Sequence, residues 1–169
     1  MGHLLCPHPM NAPAITSFSL LAVEELEVIR PLWEQLNAYH ATLPTPFASE
    51  IASRTFEPRL RAFRDKAASN RLRVEIASAA TGEPPVAYCV TSLSPDGIGE
   101  VDSLFVAPAH RRKGIASRLM QNALDWLRDS RAASQRVVVL HANDEAAAFY
   151  RRFGFRPRNI EFELSPNPK

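Results

Sequence analysis

The chain has 169 residues, 46% of them hydrophobic and 22% charged, which is one domain at roughly 150 residues per domain and disfavours collagen-like, disordered and coiled-coil chains. No apolar run reaches the roughly 18 residues of a membrane-spanning helix, and no charged-then-apolar leader opens the chain, so a cytoplasmic protein is expected. The two cysteines, Cys6 and Cys89, are too few for a disulfide framework and show no CxxC or His-rich spacing, so no metal site is expected.

Residues 1–13 carry Pro7, Pro9 and Pro13 without hydrophobic periodicity and read as a disordered or loosely packed N-terminal arm; residues 14–169 read as one domain. A first strand is expected over 15–21. From Val23, Leu26, Ile29, Leu32, Trp33, Leu36 and Leu43 recur at helical spacing, with a break at Pro31, which lacks a backbone donor. Pro44 and Pro46 end this helix, and 57–68 forms another with Leu60 and Phe63 inward. Three strands, 72–79, 86–93 and 99–106, follow in an antiparallel meander, joined by the turn residues of 81–84 and 94–97. A helix over 115–128 and a β-branched strand over 136–141, buried on both faces, come next. Asn143 then caps a helix that carries Asp144 and Glu145 in its first turn and stops at Gly154, and residues 155–164 close with one or two strands.

Net charge is only +2, yet Arg111, Arg112, Lys113 and Arg118 fall within eight residues with no acid among them. This run lies where a strand passes through a loop into a helix, so unpaired N–H groups of Gly114, Ile115, Ala116 and Ser117 gather at the positive end of a helix dipole. Gly114 and Ala116 keep side chains out of the way, and a pyrophosphate fits the combination. Taken alone, the segment is equally an ordinary loop glycine beside a solvated basic face.

Here the sequence resembles the GNAT superfamily of acyl-CoA-dependent N-acetyltransferases. Its pyrophosphate motif is met by Arg111, Gly114 and Ala116, and residues 104–108, Leu-Phe-Val-Ala-Pro, resemble the end of the family's fourth strand. Residues 143–155, from Asn143 through Tyr150 to Gly154 and Phe155, resemble its second motif. The resemblance implies an α/β fold, a mixed central sheet of about six to seven strands flanked by helices, splayed open between strands 4 and 5. It implies acetyl-CoA as co-substrate and an amine as acceptor, and it is compatible with a homodimer. Leu104, Phe105, Val106, Arg111, Arg112, Lys113, Gly114, Ile115, Ala116, Ser117, Asn143 and Tyr150 then hold the donor, with Val106 N–H polarising the thioester carbonyl and Tyr150 protonating the departing thiolate. Independently, Asn143 and Tyr150 are seven residues apart, on one helix face at about 10 Å, a stripe suited to an elongated ligand.

The base that takes the amine's proton is open. The strand before Asn143 offers only Val137, Val138 and Val139, whereas Glu100 and Asp102 share one face of the preceding strand, and Glu100 leads as catalytic base. Its plain alternative is a solvated acid at a strand start. His40, at the end of the first helix, is the second candidate, and water a third. His110 and His141 show no metal-ligand spacing, and Cys89 reads as a small core hydrophobe. A noncatalytic acyl-CoA sensor is the alternative function. A nucleic-acid module would need basic residues spread along a face, whereas the helix after Gly114 carries Leu119, Trp126 and Leu127 at core spacing.

Overall fold

Five strands build one sheet, in the order β1-β2-β3-β4-β5, in a computed structural model that describes residues 17–164. The strands are β1 (Ser17–Leu21), β2 (Arg71–Ser78), β3 (Pro85–Leu93), β4 (Ile98–Val106) and β5 (Ser134–Val137). The expected N-terminal arm lies outside the described residues. β1 to β4 pair antiparallel, as the short turns between β2, β3 and β4 require, and β5 joins parallel to β4 after a helical crossover.

The helices are α1 (Arg30–Ala41), α2 (Ala48–Ser53), α3 (Phe56–Ser69), α4 (Ile115–Asp129) and α5 (Asp144–Arg152). Pro31 divides the first helical stretch as expected: Val23–Ile29 is a 3-10 segment and α1 starts at Arg30, with the proline in its first turn, where a missing donor costs nothing. The helices cover both faces. On one side Leu26, Ile29, Leu32, Trp33, Phe56, Leu60 and Phe63 pack on Val74, Ile76, Tyr88, Val90 and Phe105. On the other, Ile115, Leu119, Met120, Ala123 and Tyr150 pack on Ala77, Ala87, Cys89, Val101 and Val106. Two apolar faces make the sheet a buried middle layer.

The α4 layer rests on β4 without a gap. A Cβ built on Gly99 would stand 2.6 Å from Cδ2 of the fully buried Leu127. Gly99→Val is expected to lower stability by about 1–3 kcal/mol, the usual cost of overpacking a core, read by chemical denaturation; an unchanged midpoint would show that Leu127 has room to turn away.

Two sequence expectations need correction. Residues 155–164 form no strand, and the sheet has five strands where six to seven were expected, because nothing in the described chain pairs with that segment. The strand expected over 136–141 and buried on both faces is instead the short β5, mostly exposed, with Val138 beyond it standing in solvent. It is an edge strand, and its ladder ends at Val137. Helix α2, placed between Pro46 and Arg54, was not anticipated.

Candidate active site

β4 and β5 part company halfway. Their ladder runs from Ile98↔Ser134 to Val101↔Val137 and stops, while β4 continues to Val106 paired only with β3. The split coincides with a bulge. Val101 opposes Thr91 and Ser103 opposes Val90, so Asp102 is one residue too many for the β3 ladder. An inserted residue bends and overtwists its strand, and β4 is thereby carried away from β5. The bulge also sets Asp102 and Ser103 toward the same layer: Asp102 pairs with Lys66 of α3, and Ser103 Oγ lies 2.8 Å from Tyr88 Oη.

Beyond the split, one edge of β4 is unpaired. Ala107 N–H donates to Val86 O at 2.8 Å, so by strand alternation the N–H groups of Val106 and Leu104 face the other way, into the cleft. Phe105, between them, is buried against α1 and α3.

The cleft ends at the start of α4. Arg112 and Gly114 both adopt left-handed backbone, at φ 60° and 78°, and fold the loop so that the amides of Ile115, Ala116 and Ser117 open the helix. No side chain caps them, and the first bond back into the helix is Arg118 N–H to Gly114 O. A Cβ at Gly114 would meet nothing within 4 Å, so the space above the loop is open. Arg112 and Lys113 are exposed beside it. Arg111 instead turns inward: its Nε donates to Val106 O at 3.0 Å, and its guanidinium lies 5.4 Å from the Phe105 ring and 5.7 Å from Tyr39. Its charge holds the end of β4 in place.

The opposite wall belongs to α5. Asn143 is buried and caps the helix, Oδ1 accepting from Ala146 N–H at 3.1 Å, as expected. It also meets α1 across the mouth of the cleft. Tyr39 Oη donates to Asn143 Oδ1 at 3.5 Å, and His40 Nε2 lies 3.5 Å from Asn143 Nδ2. Burial, and then the charge of Arg54, hold the His40 imidazole below its usual range, so it is neutral at pH 7. Tyr150 is buried between Phe149 and Phe155, ring centroids at 5.2 and 6.0 Å, and burial pushes its phenol above the usual range.

Glu100 sits where β4 and β5 are still paired, opposite Arg136. Its Oε2 accepts from Arg136 Nη2 at 2.9 Å and from Lys66 Nζ at 3.2 Å. Burial raises its pKa, but the Arg136 hydrogen bond and the Lys66 charge outweigh this, and the net shift is downward. Cys89, buried and 3.5 Å from Thr91 Oγ1, has its thiol pushed up to about 12 by burial and carries no thiolate at neutral pH. No group of three or more His, Cys, Asp or Glu suited to a metal occurs among the described residues. No helix among them is long and apolar enough to cross a membrane.

Sequence reasoning singled out Asn143, Tyr150 and the loop residues, but not Tyr39, Lys66 or Arg136, which hold His40, Asn143 and Glu100 in place. Tyr39 had one signal, its position beside His40 at the end of α1. The pairs made by Lys66 and Arg136 cross between distant elements and have none.

Residues 33–155 match the family described as Acetyltransferase (GNAT) family. The chain belongs to this family of acetyltransferases. Its mixed sheet flanked by helices is the GNAT fold. A mutant of the BH1408 protein from Bacillus halodurans superposes at a TM-score of 0.69, with 17% identity, over 88% of this chain and 98% of that one. The aminoglycoside antibiotic 6'-N-acetyltransferase AAC(6')-IG from Acinetobacter haemolyticus superposes at 0.63, with 17% identity, over 91% and 100%. AAC(6')-Iy, solved with the bisubstrate analogue CoA-S-monomethyl-acetylneamine, superposes at 0.62, with 16% identity, over 88% and 97%. Streptothricin acetyltransferase from Streptomyces lavendulae is 40% identical over 55 residues, which is 32% of this chain and 29% of that protein. In that match, this GNAT chain spans less than a third of its relative.

Proposed function

We propose that this chain transfers the acetyl group of acetyl-CoA to the amine of a small acceptor by direct attack, with no covalent enzyme intermediate. The opening between β4 and β5, ending on the uncapped start of α4, carries the reading. The unpaired β4 edge at Leu104, Phe105 and Val106 suits the amides of a pantetheine arm, which would add to it as a strand does. The amides of Gly114 to Ser117, with Arg112 and Lys113 beside them, suit a pyrophosphate. Asn143 supplies its side-chain amide from the opposite wall.

In the reaction a nitrogen–carbon bond forms at the thioester carbonyl and the carbon–sulfur bond breaks. Val106 N–H stabilises the oxyanion from a fixed position. Tyr150, protonated throughout the neutral range, gives its proton to the sulfur. Glu100 takes the amine's proton through water, its ion pairs to Lys66 and Arg136 keeping it ionised and oriented. His40, neutral and at the mouth of the cleft beside Asn143, is the second candidate.

The pH profile separates the two. Glu100→Gln keeps the size and hydrogen bonding of the side chain, so with Glu100 as base the variant is slow near neutrality and recovers at high pH, where the free amine needs no help. A profile that superimposes on the wild type passes the role to His40, and His40→Gln must then show the slow neutral limb. Stability gives a further check on the ion pairs. Because the folded pKa of Glu100 is lowered, its stabilisation is present above the ordinary carboxylate range and is lost as pH falls through the folded value. The stability gap between wild type and Glu100→Gln therefore closes in acid.

For the acceptor, an open surface groove lies between α1 and α2, lined by Trp33, Asn37, Ala41 and Arg54 among others. The names of the S. lavendulae relative and of the A. haemolyticus neighbour place antibiotic amines first in the test. A thiol-release assay with acetyl-CoA against streptothricin, aminoglycosides, polyamines and peptides is expected to show turnover with a small amine. Acetyl-CoA binding without turnover on any member would leave a sensor in place of an enzyme.

A further inference from the structure

Two consecutive residues of β4, Asp102 and Ser103, are turned toward the α3 layer, and they are held there by different means. Ser103 is held from within the sheet, its Oγ 2.8 Å from Tyr88 Oη of β3. Asp102 has no opposite number on β3, and α3 reaches down to it instead. Arg59 Nη2 donates to its main-chain carbonyl, and Lys66 Nζ donates to its carboxylate. Arg59 and Lys66 are seven residues apart, about two turns along one face of the helix. The Arg59 guanidinium lies 4.4 Å from the ring of Phe63, one turn further on and buried in the core, which steadies it over the strand.

The apolar pattern of β4 demands the surplus residue but does not hold it. Val101, Leu104 and Val106 face α4, while Phe105 faces α1 and α3. Two residues therefore stand between Val101 and Leu104 where regular alternation has one. The extra one has to present a carboxylate, and a carbonyl with no β3 residue opposite, to a layer otherwise built from Phe56, Leu60 and Phe63. A buried carbonyl and a buried carboxylate each oppose such an arrangement unless they are bonded. The Asp102 side chain is only 2% exposed and its Oδ2 has no protein partner, so the stability of its charge there depends on Lys66.

We propose that α3 keeps the cleft open: Arg59, together with Lys66, is a positioning residue that fixes the bulge of β4 and thereby the separation of β4 from β5. Both act from the α3 layer, through the strand whose free edge faces the cleft. The consequence for binding rests on the donor site proposed above, whereas the consequence for the strand rests on the hydrogen bonds of Asp102 alone.

Arg59→Met keeps the length of the side chain and its contact with Phe63 while removing the donor, and Arg59→Lys keeps a donor and the charge. Calorimetric titration with acetyl-CoA is expected to show about tenfold weaker binding in Arg59→Met, the loss of one charged hydrogen bond, and recovery of most of that loss in Arg59→Lys. Hydrogen exchange in the free protein is expected to quicken at 101–104 in Arg59→Met and to stay unchanged in α4. Deleting Asp102 removes the carbonyl that Arg59 serves, so Arg59→Met is expected to lower the chemical-denaturation midpoint of the wild-type chain and to leave that of the deletion where it is. An equal shift in both backgrounds would make Arg59 a packing residue of Phe63 and overturn the proposal. Wild-type affinity and wild-type exchange in Arg59→Met would overturn it as well. If the wild type itself fails to bind acetyl-CoA, the donor site falls, and the exchange rates and midpoints decide the role of α3 by themselves.

Discussion

Replacing Tyr150 with phenylalanine is expected to lower kcat by about a hundredfold to ten-thousandfold, the usual contribution of a general acid, while acetyl-CoA affinity changes little. The structure makes this substitution clean. The ring is held by Phe149 and Phe155, contacts that phenylalanine keeps, and the raised pKa of the phenol owes nothing to a hydrogen bond. The hydroxyl therefore does little for the fold, and burial favours its protonated form. Steady-state rates and calorimetric titration of acetyl-CoA together decide the point. A variant with wild-type kcat would leave Tyr150 a packing residue.

Ser117→Glu is expected to move stability and donor binding in opposite directions. Ser117 is the third residue of α4, whose uncapped start favours negative charge, so a glutamate there raises stability by about 0.3–1 kcal/mol. The same carboxylate occupies the place proposed for the pyrophosphate. Losing one charged hydrogen bond, at roughly 1.5–3 kcal/mol, weakens acetyl-CoA binding about tenfold to a hundredfold. Calorimetry and chemical denaturation read the two effects separately. Ser117 is a sharper probe than Gly114, where a valine would strain backbone at φ 78° and confuse lost binding with a distorted turn. Unchanged affinity in a stabilised variant would remove the pyrophosphate from this loop.

What was legible in the sequence is local. The break at Pro31, the cap at Asn143 and the left-handed turn at Gly154 each follow from one residue's own backbone or side-chain chemistry, and each is present. The loop at Arg112 to Ser117 was legible because spacing alone fixes which amides open a helix. Facts that depend on pairing between distant segments were not. Alternation in 155–164 marks a strand truly enough, but whether a strand finds a ladder depends on a partner edge that no residue within it specifies. The valines over 137–139 read as a buried strand, and their pairing ends because β4 bends away at a position set by the β3 register. Glu100 was legible as an acid on β4; Lys66 and Arg136, which depress its pKa, come from α3 and β5.

The surplus residue in β4 puts sheet regularity and ligand binding in competition. Both Asp102 and Ser103 face the α3 layer, so excising Asp102 would leave the downstream side chains on their present faces while restoring an unbroken ladder with β3. A straighter β4 would stay alongside β5 for longer, and its exposed edge amides would be spent on the neighbouring strand. Selection for stability alone would favour that deletion, and the product would be a better-knit sheet with no gap for a substrate to enter. Under the proposed function that imperfection is what gives the donor its way in, and a chain with Asp102 deleted is expected to lose acetyl-CoA binding while keeping its fold.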